Sequence, residues 1–178
     1  AVLKHMHTLI EEKQIVAHGK TRDRIYELRP QVNLIKTLEI NEKFSPDRVI
    51  KDNIIPHLAS LSKNISEIIQ FSMLALINNT IDHSNATKLY FKLYFTYNDL
   101  HIIISDNGEG IFGKIKSLLS LENTQIAAIE LAKGRITTDP ENHSGEDLNT
   151  VIHLFDNVKI ESTGKSLMFI NKNQEWMI

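Results

Sequence analysis

The sequence predicts an α/β fold: a two-layer sandwich of helices on a mixed, mostly antiparallel sheet, preceded by a helix and a β-hairpin. Three observations carry this expectation. The segment from Asn64 to Ile81 is apolar on nearly every side, as a buried helix is. KLYFKLYFTY and LHIIISD alternate apolar and polar residues on either side of Asn98-Asp99, the pattern of an antiparallel hairpin. Val158–Ser162 and Ser166–Ile170 form a second such pair near the end of the chain, and there is no internal repeat or low-complexity segment.

Each element has its own reason. Leu3, Met6, Leu9 and Ile10 recur at helical spacing, and Ile15–Ala17 and Ile25–Leu28 flank a Gly turn as two short strands. Pro30 closes this unit, which divides the chain into residues 1–30 and 31–178. Ser45 is placed to cap a helix with Pro46 at its first position, and Pro56 should interrupt that helix. Asn64 is the expected cap of the buried helix, with Glu67 returning the bond. Leu89, Phe91, Leu93 and Phe95 share one face of their strand. Ile111 to His143 is polar and punctuated by glycine, with short helices expected at Lys114–Leu121 and Thr124–Lys133 and a stop at Gly134. A last helix is expected from Gly145 to Phe155.

Composition bounds the function. The chain has 178 residues, 42% hydrophobic and 24% charged, so it can bury a full core. No apolar run approaches the ~20 residues of a membrane span, so no membrane partner is expected. With no cysteine, disulfides, zinc–thiolate sites and thiol catalysis are excluded. The lack of a basic-then-apolar leader argues against secretion and for a cytoplasmic location, and the start without Met suggests a fragment or a processed chain. Net charge is −2, but residues 1–30 hold six Lys/Arg against four Asp/Glu, leaving 14 against 18 for the rest. The positive charge gathers in HGKTRDR, His18 to Arg24.

Three stretches carry candidate chemistry. In LALINNTIDHS, residues 75, 79, 82 and 83 stack on one helix face, which reads Ala75, Asn79, Asp82, His83. In SDNGEGIFG, an acid at a strand end precedes Gly-x-Gly, where the backbone can turn sharply and pass close to a ligand while Asp106 accepts a hydrogen bond from it. In HSGEDLN, Ser144-Gly145 opens a helix whose free N–H groups suit a phosphate. Alone, each has an ordinary reading: a fraying helix end, a Gly-rich turn and a capped helix start. Asp82-His83-Ser84 is consecutive on a helix and cannot form a hydrolase triad, and His5-x-His7 has no metal-site context.

Together and in this order, NNTIDHS, DNGEGI and HSGED resemble the N-box and the two glycine boxes of the GHKL ATPase superfamily, which includes sensor histidine kinases and anti-sigma-factor kinases. The resemblance spans roughly Phe44 to Trp176 and implies the Bergerat fold with an ATP and magnesium site. It implies that Asn79 reaches the magnesium ion bridging the phosphates and that Asp82 lines the same pocket. It gives Asp106 the adenine amino group, lets Gly108 and Gly110 bring the backbone close to the nucleotide, makes residues 112–143 the ATP lid, and turns Ser144 and Gly145 towards phosphate.

Two departures weigh on catalysis. Hydrolytic and serine-kinase members carry a glutamate one turn before the magnesium asparagine; here that position is Ala75. Losing a positioned base removes ~10²- to 10⁴-fold of rate. The second glycine box reads Gly145-Glu146-Asp147, which sets two carboxylates near the expected triphosphate; Lys133 and Arg135 are the candidate offsetting cations.

VLKHMHTLIEEKQIVAHGKTRDRIYEL is similar to the recognition helix and wing of a winged-helix DNA-binding domain, with Lys20, Arg22 and Arg24 on the wing. With the other motifs, it resembles a group of prokaryotic proteins in which a winged helix precedes a histidine-kinase-like ATPase domain and a STAS-like domain often follows. No phosphoacceptor histidine helix is recognisable. The expected function is an ATP- and magnesium-binding regulatory domain in prokaryotic signalling or transcription, with weak or absent hydrolysis. The alternatives are an active ATPase or protein serine/histidine kinase, and a nucleotide-free DNA-binding or interaction module.

Overall fold

The computed structural model describes residues 2–134 and 146–178. In chain order the elements are α1 (Val2–Glu11), β1 (Ile15–His18), β2 (Ile25–Leu28), β3 (Val32–Glu39), α2 (Pro46–Val49), α3 (Lys63–His83), β4 (Lys88–Phe95), β5 (Leu100–Asp106), α4 (Ile111–Leu118), α5 (Thr124–Ala132), α6 (Glu146–Leu154), β6 (Asn157–Ser162), β7 (Lys165–Ile170) and β8 (Glu175–Met177). The class is mixed α/β, as the sequence predicts. The strands pair as three antiparallel sheets among the described residues, β1–β2, β3–β4–β5 and β6–β7–β8, where one mixed sheet was expected. Short turns join β1 to β2, β4 to β5, β6 to β7 and β7 to β8, and strands joined so closely can pair only antiparallel. The chain forms two compact units, Ala1–Lys36 with Phe91–Ile103, and Thr37–Tyr90 with Ile104–Ile178.

In the first unit, β1 and β2 pair from Ile15↔Leu28 to His18↔Ile25, close to the expected hairpin. Gly19 turns the chain at φ +82°, where an added Cβ would sit 2.5 Å from the Asp23 carbonyl oxygen. This puts Lys20, Arg22 and Arg24 on an exposed tip. Ile15, Val32, Leu34, Phe91 and Leu93 are buried. The β4–β5 turn closes through Thr96, whose N–H donates to Asp99 O at 2.9 Å and whose Oγ1 accepts from Asn98 N and Asp99 N.

In the second unit, Ser45 Oγ accepts from Arg48 N at 3.3 Å and Pro46 opens α2, as expected. That helix then passes through a π turn at Ile50–Ile54 into a 3₁₀ turn at Ile55–His57, where Pro56 ends regular helix. The cap of α3 is Ser62, not Asn64: its backbone is extended and its Oγ accepts from Ile65 N at 3.4 Å. Glu67 therefore pairs with Lys63 at 3.7 Å rather than closing a capping box. Burial of α3 is one-sided. Ile69, Ser72, Met73, Ala75, Ile77 and Thr80 are buried, while Asn64, Glu67, Phe71 and Asp82 are exposed.

Helix α4 begins at Ile111, earlier than expected, because Gly110 at φ +77° already starts it. Asn123 caps α5 by accepting from Gln125 N and Ile126 N, and Gly134 at φ +76° stops it. Phe112, Ile115, Ala127, Ala128, Leu131 and Leu167 form one buried cluster, with Leu148, Ile160 and Trp176 packed against it. Trp176 also meets Phe169 ring to ring at 4.9 Å, which fastens β8 to β7. No described helix is long and apolar enough to cross a membrane.

Candidate functional site

The site grows from the way α3 ends. Thr80 Oγ1 donates back to Leu76 O at 3.2 Å, and Ser84 Oγ donates to Thr80 O at 2.6 Å while accepting from Ala86 N. Asn85 follows at φ +54°, the left-handed conformation that asparagine tolerates better than most residues, and it turns the chain towards β4. The sequence alone leaves this end as either fraying or functional. In the structure it is docked.

What it docks against is the DNGEG loop that leaves β5. Asp106 Oδ1 accepts from Gly108 N at 2.8 Å, which folds the loop back on itself. Asn107 faces the start of β4: its Oδ1 accepts from Thr87 N at 3.0 Å and Lys88 N at 2.8 Å, and its Nδ2 donates to Thr87 Oγ1. Glu109 N donates to Ser84 O at 3.0 Å, and Glu109 Oε1 accepts from Asn85 Nδ2 at 2.9 Å. Gly108 lies against the helix end. A Cβ built there would stand 2.1 Å from Ser84 O and 2.7 Å from Ser84 Cβ, closer than atoms can approach. Only glycine lets the two backbones meet this way. At Gly110 the constraint is the backbone itself, at φ +77°; a Cβ there would also crowd the side-chain oxygen Ser162 Oγ, which accepts from Phe112 N.

The residues singled out in the sequence are thus partly gathered. Asp106, Gly108 and Gly110 belong to one loop bound to the end of the helix that bears Asn79 and Asp82. Asn79 is half-buried, and its side-chain amide is hydrogen-bonded to no group among the described residues; Asp82 and Asp106 are exposed. Ala75 is buried at 8% exposure, so its face of α3 offers no proton-transferring group at the position where a base was sought. Ser144, Gly145 and Arg135 lie outside the described residues. Lys133 is exposed and pairs with Glu130 on its own helix. His83 sits in the last turn of α3 with its carbonyl accepting from Lys114 Nζ.

The segment expected as a lid, residues 112–143, has a different character over its described part. Phe112 and Ile115 on α4, and Ala127, Ala128 and Leu131 on α5, are core residues packed with Leu167 of β7. Up to Gly134 the segment is built by burial. The reason is visible in the residues themselves: both short helices carry apolar side chains that have a sheet to pack on.

Sequence reasoning missed Ser84, Asn85, Asn107, Glu109 and Lys114 as the residues that join helix to loop. Ser-Asn after a helical run is a stop signal that could have pointed to the first two. Asn79 supplies a neutral amide, and no group of three or more His, Asp or Glu able to hold a metal occurs among the described residues. Compared with known proteins, the chain matches no family model, no curated protein and no solved structure.

Proposed function

We propose that the chain is an ATP- and magnesium-binding regulatory domain of the GHKL type, acting as a nucleotide-dependent switch with weak or absent hydrolysis. The observation that carries this is the enforced approach of Gly108 to Ser84 O, which binds the DNGEG loop to the end of α3. Asn79 and Asp106, the residues on which the motif resemblance rests, thereby belong to elements locked to one another. A half-buried asparagine whose amide has no hydrogen bond among the described residues suits an ion that phosphates share. Magnesium bound there would neutralise phosphate charge; Asn79 would hold it, Asp106 would orient the base, and Ala75 leaves water without an activating carboxylate.

In this reading residues 31–178 have the Bergerat architecture, and α1 with β1–β2 is the recognition helix and wing of a winged helix in a cytoplasmic prokaryotic regulator. Lys20, Arg22 and Arg24 on the exposed tip would meet DNA phosphates, and a STAS-like protein or domain is a candidate partner. Calorimetry with ATP and magnesium tests the nucleotide site. Saturable, magnesium-dependent binding that Asn79→Ala and Asp106→Asn each weaken is expected, with little phosphate released. No binding by the parent, or an Asp106→Asn variant that binds like it, overturns the proposal. Steady phosphate release abolished by Asn79→Ala would instead make the chain an active ATPase.

A further inference from the structure

We infer that Lys114, to which the motif resemblance gives no role of its own, is the positioning residue that sets the spacing between α3 and the DNGEG loop, and so tunes nucleotide affinity; this rests on the proposed nucleotide site. Its Nζ donates to His83 O at 2.8 Å. That carbonyl belongs to the last turn of α3, where acceptors lack helical partners and the dipole is negative. The same ammonium lies 3.9 Å from Glu109 Oε1, the oxygen that also accepts from Asn85 Nδ2. One cation on α4 therefore holds two negative groups, one from the helix and one from the loop.

Its setting separates it from ordinary surface lysines. The Lys114 side chain is 26% exposed, against 61% for Lys133 in its pair with Glu130. Glu109 is itself 47% exposed and its contact is the longer, so the firmer leg is the bond from the sheltered ammonium to His83 O. Without the ammonium, the His83 carbonyl loses its donor from α4 and Glu109 Oε1 keeps its bond from Asn85 Nδ2 but loses the cation, so the tie that joins α4, the helix end and the loop is gone and the loop is freer to shift from the helix. Asp82 and Gly108 are the chain neighbours of these two residues, so the displacement reaches the nucleotide-facing positions directly.

The test compares Lys114→Met, Lys114→Arg and Glu109→Gln with the parent in two measurements. The first needs no nucleotide: amide hydrogen exchange of Glu109 N–H, which donates to Ser84 O. Lys114→Met is expected to speed this exchange about tenfold, with the α5 amides unchanged, and Lys114→Arg to restore most of the protection. The second is affinity for adenosine, ADP and ATP with magnesium. A positioning role predicts that Lys114→Met weakens all three by a similar factor, about tenfold. Glu109→Gln keeps size and fold while removing one leg of the contact, and is expected to weaken them about threefold.

Unchanged exchange in Lys114→Met overturns the inference, as does a loss confined to ATP, which would mean direct phosphate contact. If Lys114→Met does not fold, unchanged exchange and affinity in Glu109→Gln overturn it. Faster exchange in a chain that binds no nucleotide would leave the clamp standing as architecture while overturning both its role in affinity and the proposed function.

Discussion

The DNGEG loop and the segment that follows it are neighbours in sequence and are held by opposite physics. From Asp106 to Gly110 almost every side chain is polar or absent, and order comes from directional bonds to Ser84, Asn85, Thr87 and Lys88. From Phe112 to Leu131 order comes from apolar burial against β7. The difference teaches where a site can be tuned. Directional bonds can be lost one at a time, so the loop can yield in steps, whereas a packed cluster resists partial opening. Over its described part, the segment to which the resemblance gives the role of a lid packs on Leu167 of β7.

The sharpest way to break this comparison is Phe112→Ala. If residues 112–134 are core, removing a ring with no exposed surface costs about 3–5 kcal/mol in denaturant unfolding. A detachable lid would lose far less, and a cost below about 1 kcal/mol would reject the description of this segment as core. Next in size is Gly108→Ala. The atom it meets is a backbone oxygen at 2.1 Å, which cannot swing aside, so a cost of about 2–3 kcal/mol is expected, with loss of protection at Glu109 N–H. An unchanged melting curve together with intact protection would show that helix and loop do not touch as described.

How much of this was legible follows from range. Strands with a full alternating pattern, such as Leu89–Leu93, are readable because burial every second residue leaves its mark locally. Strand β3 was not, since only Val32 and Leu34 at its start are buried and Lys36 and the residues around it are exposed. With three residues, β8 is too short to show any period. Helix ends were uncertain by a residue or two where two capping residues stand close together, as Ser62 and Asn64 do. In the site, Asp106, Gly108 and Gly110 are recognisable by type and spacing. The partners that fix them are not, because Asn107 reaches Thr87 across 20 residues and Lys114 reaches His83 across 31, distances over which no local pattern extends.

A smaller substitution sharpens the contrast on the polar side. Asn107→Ala removes acceptors for Thr87 N and Lys88 N and a donor to Thr87 Oγ1 at once. The groups it leaves are exposed and can turn to water, so the expected cost is about 1–2 kcal/mol rather than the sum of three bonds. The informative measurement is a double-mutant cycle with Thr87→Val. Coupling of at least about 0.5 kcal/mol marks the side-chain bond as part of the loop's support, and strict additivity would remove it.

The smallest expected effect has the opposite sign. Ser72 on α3 is fully buried, and its Oγ has no hydrogen-bond partner among the described residues. A stranded hydroxyl costs free energy that an apolar replacement does not, so Ser72→Ala should stabilise the chain by about 1 kcal/mol, less the small void left by one oxygen. Ser72 lies one turn before Ala75 and two before Asn79 on the same helix face. The gain should therefore come without change in nucleotide affinity if that face is structural up to Ala75 and ligand-directed only from Asn79 onward. A rise in stability accompanied by weaker ATP binding would extend the site a full turn deeper into the helix than Asn79. A fall in stability would mean that the hydroxyl has a partner, such as a buried water, and that this part of the core is wet.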